Sequence, residues 1–170
     1  MFRSAHEALQ FAFRTLGIPI LRISSINNMR GSSGNGDLTQ HDLHAQAAII
    51  MSIVEQAVDV NCLVYLKARY GHELRGGEQE RVVADTLVRV AVAALPTGIH
   101  SRRGIERLIR MYFGHGISMF SARKDLLCNN RRYYEYRDAV YGALDRLAAR
   151  AEADADMALE AAGLLTLSRV

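Results

Sequence analysis

Between Arg123 and Glu135 the chain gathers side chains suited to one chemistry, recognition of a polyanion whose edges carry ordered hydrogen-bonding groups. Arg131 and Arg132 each bring a guanidinium able to donate two hydrogen bonds to guanine in a major groove, and Asn130 brings an amide able to do the same for adenine. Tyr134 and Glu135 follow one turn later, and Arg123 and Lys124 precede the cluster where backbone phosphates would be reached. Charge points the same way. From Ser101 to Arg137 nine basic residues face three acidic ones, a local +6, whereas the remaining twelve basic and fifteen acidic residues give −3 within a total of +3. A concentrated positive stretch in an otherwise acidic chain suggests a polyanion-binding face, because phosphate neutralisation supplies most nonspecific nucleic-acid affinity. Arg102 and Arg103 open that stretch and are assigned to the same face. The alternative is a solvated helix face whose arginines only keep the protein dissolved.

The elements that must position these residues can be read locally. Gly114 and Gly116 end one helix, and Ser118 can cap a short helix running to about Leu126, with small Ala122 at its middle. A close helix crossing needs such a small residue, and the turn after it needs apolar anchors, here Leu126, Leu127 and Cys128. Asn129 is placed to cap the next helix. Within that helix Tyr133, Tyr136, Val140 and Leu144 recur at helical spacing and turn inward, leaving Asn130, Arg131, Arg132, Tyr134, Glu135 and Asp138 outside. The pattern is that of a helix-turn-helix with a basic second helix. A plain helical bundle, with its tyrosines as packing residues, is the bland alternative.

The rest of the chain reads as helix as well. Its 170 residues are 49% apolar and 23% charged, with two prolines and many Ala, Leu, Arg and Glu residues, so an all-α globular protein is expected. Stripes predict helices from Ser4 to Leu16, His41 to Val60, a shorter one from Asn61 to Tyr70, Glu78 to Leu95, and one capped by Ser101 with Ile105, Leu108, Ile109, Tyr112 and Phe113 inward. The helix after Val82 looks apolar on nearly all sides and central to the core. Residues 18–37, rich in Gly, Ser and Asn, read as a flexible loop, either a connector or an arm that orders on a partner. The expected organisation is a helical body over 1–100, a DNA-binding helix-turn-helix region over 101–160, and a tail over 161–170.

Other chemistries find little support. His41 and His44 with Asp37 or Asp42 form only a weak metal pattern, more simply explained as a polar helix start. No GxSxG, HExxH or GxxxxGK motif occurs, and no nucleophile has a base at a meaningful spacing, so an enzyme is not expected and no cofactor is implied. Cys62 and Cys128, lacking CxxC spacing, are read as reduced thiols, with Cys128 buried. No apolar run is long enough to span a membrane, so a cytoplasmic protein is expected.

The run from Arg110 through Gly114 and Gly116 to Ser118, then Ala122, Arg123, Lys124, Asn129, Tyr133, Tyr134 and the long helix to Ala151, resembles the C-terminal part of the phage Q transcription antitermination proteins. The nearest type is the AlpA lysis-regulating antiterminators of pseudomonads. The similarity covers roughly Ser101 to Asp156 and is clearest from Tyr112 to Leu144. It implies a helix-turn-helix like the promoter-reading domain of sigma factors. It also implies a factor that binds duplex DNA beside a promoter, engages bacterial RNA polymerase, with or without its sigma factor, and carries it through terminators by narrowing the exit channel of the nascent RNA. By this resemblance Asn130, Arg131, Arg132 and Glu135 face the DNA, with Arg123 and Lys124 near phosphates. The zinc site of one branch of the family is not expected, since this chain has too few cysteines. An activator acting only at initiation, or a helical adaptor that binds no DNA, are the rival functions.

Overall fold

The computed structural model describes residues 2–17, 39–71, 74, 79–96 and 100–165, and the expected loop over 18–37, the Gly76-Gly77 break and the end of the tail lie outside them. The described residues form seven helices: α1 (Ala5–Leu16), α2 (Gln40–Ala57), α3 (Val60–Tyr70), α4 (Glu80–Ala93), α5 (Arg102–Tyr112), α6 (Met119–Leu126) and α7 (Asn130–Ala161). No strand occurs among the described residues, only an isolated parallel bridge between Phe2 and Leu165. The chain is all-α.

Helix starts follow from local polar chemistry. The side chains of Ser4, Asp59, Ser101, Ser118 and Asn129 each accept a hydrogen bond from a backbone N–H in the first turn that follows. Thr39 and Asp42 form a reciprocal capping box, with Thr39 N–H donating to Asp42 Oδ2 at 2.9 Å and Asp42 N–H to Thr39 Oγ1 at 3.2 Å. The hydroxyl and backbone N–H of Thr39 hold the Asp42 carboxyl below its usual pKa. Asp42 therefore belongs to a cap, and Asp37 lies outside the described residues.

The spine of the molecule is α7, 32 residues and about 48 Å long. Six of its seven buried residues, Tyr133, Val140, Leu144, Ala151, Ala155 and Leu159, recur every four or seven positions, with Ala143 beside them, one stripe of a 3.6-residue period. That stripe meets every other helix. Against α7 pack α2 and the alanine-rich α1, whose Ala5, Ala8 and Ala12 allow close approach. Near its middle an aromatic layer joins α3, α5 and α7: the Tyr65 and Phe113 rings lie 5.5 Å apart and those of Tyr112 and Tyr141 5.2 Å apart. Tyr112 Oη donates to Asp145 Oδ1 at 2.8 Å. Ahead of α1, Phe2 N–H donates to Leu164 O at 3.1 Å, and Ala5 N–H donates to Asp156 Oδ1 of α7 at 2.8 Å.

Several sequence expectations are corrected. The fourth helix is shorter than Glu78 to Leu95 and is not surrounded by protein. Val83, Ala84, Leu87, Val88 and Ala91 are buried, but Val82 and Val92 face solvent, because only one side of α4 meets α3, α5 and α7. Cys128 is half-buried rather than buried, while Cys62 is fully enclosed. Among the described residues no helix is long and apolar enough to cross a membrane.

Candidate nucleic-acid interface

Two glycines with positive φ, Gly114 at 76° and Gly116 at 67°, lead the chain out of α5 and into α6. Ser118 Oγ accepts from Ser121 N–H at 3.2 Å and starts α6. The inner side of this short helix carries Ala122, fully buried, and Leu126. It beds on α5 at Gly104, where a Cβ would stand 2.6 Å from Leu126 Cγ and Cδ2 and 2.8 Å from the Leu126 backbone nitrogen. Ala122 is small as expected. The residue that sets the helix spacing is Gly104, whose role no local pattern announces.

Leu127 closes α6 in the left-handed conformation, φ 52° and ψ 41°, with its N–H donating to Lys124 O at 3.2 Å. It is the sole non-glycine with positive φ among the described residues, and its side chain is 89% exposed. Cys128 and Asn129 complete a three-residue turn. Asn129 Oδ1 then accepts from Arg132 N–H at 2.9 Å and caps α7. Burial pushes the Cys128 thiol pKa up, against the pull of Arg123 and Arg132.

Tyr133 is buried beneath this corner, its hydroxyl 4.0 Å from Met111 Sδ, and Tyr136 is half-buried with its ring 5.6 Å from that of His100. With about 100° between successive residues, the buried stripe of α7 leaves Arg131, Glu135 and Asp138 on its outermost side, Asn130 and Tyr134 on the flank nearest α6, and Arg132 on the other flank. Arg131 is 90% exposed and lies 3.2 Å from Glu135 Oε1, an i, i+4 pair. Arg132 projects into solvent, and its guanidinium makes no hydrogen bond or ion pair among the described residues. Asn130 Oδ1 accepts from Arg123, which crosses from α6. Lys124 is exposed, with no ion pair among the described residues.

The basic stretch itself is largely neutralised. Among the described residues, six of its nine cations lie within ion-pair distance of a carboxylate, and Arg123, Lys124 and Arg132 do not. Arg102 pairs with Asp85 of α4, while Arg103 lies 3.3 Å from Asp125 of α6 and Arg107 shares the same carboxylate. Arg110 turns toward α4, donating to Leu74 O at 2.8 Å and to Glu80 Oε1 at 2.5 Å, with Glu106 Oε1 at 2.9 Å. Burial lowers its pKa, but the hydrogen bonds to the two glutamates outweigh that and hold it above its ordinary value. Arg107 and Arg110 thus tie α5 to α6 and α4. The basic side of α5 is in good part a packing surface, since the acids that occupy it come from 18 and 30 positions away.

Sequence reasoning passed over the apolar side of α6. Met119, Phe120, Leu127 and the Tyr134 ring are all exposed. Arg123 stands 5.7 Å from the Phe120 ring centroid and Arg137 4.9 Å from that of Tyr134, whose hydroxyl approaches Met119 Sδ at 3.7 Å. The i, i+3 spacing of Phe120 and Arg123 was the available signal. Among the described residues no group of three His, Cys, Asp or Glu side chains converges as a metal site would require. Comparison of this chain with family models, with curated proteins and with solved structures finds no match.

Proposed function

We propose that α6, the Leu127 to Asn129 turn and α7 act as a helix-turn-helix that lays the first two turns of α7 in a DNA major groove. The observation that carries this reading is the capped N-terminus of α7, from which Arg131 and Arg132 project clear of the protein's own core. Asn130, Arg131 and Glu135 then meet base edges, and Arg132, Arg123 and Lys124 meet phosphates, aided by the partial positive charge of the helix end. Tyr134 borders the groove. Arg102 and Arg103 reach phosphates only where the DNA competes with Asp85 and Asp125.

On the resemblance between Arg110 and Ala151, the biological role proposed is transcription antitermination: binding beside a promoter, engaging RNA polymerase and carrying it through terminators. A template with a promoter and a downstream terminator, transcribed with and without the protein, tests this role. Read-through supports it, and increased initiation without read-through assigns the chain to activation instead. The non-DNA-binding adaptor reading is favoured by one observation, the ion-pairing of six of the nine cations. Gel shift with Arg131→Ala and Arg132→Ala separates the two. An arginine that reads a base adds about 1–3 kcal/mol to duplex affinity, which its alanine variant forgoes, and unchanged duplex binding favours the adaptor.

A further inference from the structure

We propose that the exposed rings of Phe120 and Tyr134 stack on unpaired bases of a DNA strand, so that the preferred ligand of the α6–α7 unit is a junction between duplex and single strand. This deepens the groove-docking reading and rests on it. Phe120 is 66% and Tyr134 43% exposed, and each ring is faced by a guanidinium, Arg123 at 5.7 Å and Arg137 at 4.9 Å. The Tyr134 hydroxyl, 3.7 Å from Met119 Sδ, sets its ring against the helix that carries Phe120. Arg137 keeps Asp138 as its carboxylate partner, so the free positive charge here comes from Arg123 and Lys124. The single acid of α6, Asp125, is turned away toward Arg103 and Arg107. The Phe120 face beside Arg123, whose helix turns its one acid away, matches the two features of single-stranded nucleic acid, flat bases and charged backbone.

A duplex keeps its base faces inside the stack, so an exposed ring beside a groove finds them only where the strands separate. Stacking one base on an aromatic side chain raises affinity by roughly five- to hundredfold, and the guanidinium adds attraction to ring and phosphate alike. The strand is DNA rather than RNA because a helix enters the wide major groove of B-form duplex, whereas that of A-form RNA is too narrow. The unpaired tail that continues from such a duplex is therefore DNA as well.

Fluorescence anisotropy with a labelled mixed-sequence blunt duplex at low salt, and with the same duplex carrying an unpaired oligothymidine tail with 2-aminopurine at the junction, tests the proposal. The tailed probe is expected to bind at least about fivefold more tightly than the blunt one. Phe120→Ala removes that gain and leaves blunt-duplex binding as it was, while Phe120→Trp keeps the gain and alters 2-aminopurine emission. Phe120 is outside the core, and circular dichroism checks that both variants keep their helices. Equal affinity for the two probes, or a gain that survives in Phe120→Ala, overturns the stacking proposal and assigns the rings to a protein contact, with duplex binding still standing. Binding of neither probe overturns both readings, and binding of the tailed probe alone, lost in Phe120→Ala, overturns the groove reading and with it the junction proposal that rests on it.

Discussion

Leu127 combines two features that stability does not favour, a left-handed backbone and a large apolar side chain in solvent. For an L-residue with a Cβ the left-handed region costs about 1–2 kcal/mol, a penalty that glycine escapes. The side chain is so exposed that removing it gives up little burial. Leu127→Gly is therefore expected to raise stability by about 0.5–1 kcal/mol after the larger backbone entropy of glycine is subtracted. Urea unfolding measures this, and a loss of stability would mean that the leucine packs on something in solution. The same scale separates the arginines. Arg131, paired with Glu135, is set to read a base, whereas Arg132 has no partner among the described residues and is set to meet phosphate. If so, Arg132→Ala weakens all duplexes alike and lowers the slope of log K against log salt by about one, while Arg131→Ala changes which sequence is preferred.

At the scale of elements, the contact between α5 and α6 is set by the missing side chain of Gly104. Alanine there would drive its Cβ into Leu126 and against the Leu126 backbone nitrogen, so the helices would have to separate. Gly104→Ala should lower stability by about 1–3 kcal/mol even though alanine is the better helix former by about 1 kcal/mol. Adding Leu126→Ala relieves the side-chain clash but not the backbone one, and a double-mutant cycle in urea reads the difference. An additive cycle would show that the two residues do not meet. The starts of α5, α6 and α7 were legible in the sequence because Ser101, Ser118 and Asn129 act on amides within three residues. Tyr133, Val140 and Leu144 were legible as an inward stripe for the same reason of locality. Gly104 was not, nor the pairing of Arg107 with Asp125 and of Arg110 with Glu80, since these depend on which helices become neighbours. The face of α4 bearing Val82 was misjudged on the same ground: apolar periodicity shows which residues can be buried, and the number of packing partners decides which are.

Over the whole molecule the tyrosines make stability depend on alkali. Burial pushes up the hydroxyl pKa of Tyr65, Tyr112, Tyr133 and Tyr141, and that of Tyr70 to about 12. For each, the folded state holds its proton more tightly than the unfolded chain, whose tyrosines ionise near the ordinary value of 10.0. The contribution is fully present below pH 10 and is lost as pH rises from there through the folded values. Melting temperature should thus hold steady to about pH 10 and fall beyond it, with the phenolate absorbance of these five tyrosines appearing together with loss of helix. Ionisation of these five near pH 10 with the helices intact, read in a Tyr134→Phe, Tyr136→Phe background, would contradict this. Tyr112→Phe, which removes the hydroxyl between Tyr65 and Asp145, should flatten the alkaline fall.

The unbroken length of α7 also sets where charge stands along the protein. Its basic tip and the carboxylates at Glu152, Asp154, Asp156 and Glu160 share one rod, separated by about 33–45 Å at 1.5 Å per residue. At physiological ionic strength that is several screening lengths of about 8 Å. A polyanion gripping the tip hardly senses the opposite pole, so the two extremities can serve separate neighbours without electrostatic conflict.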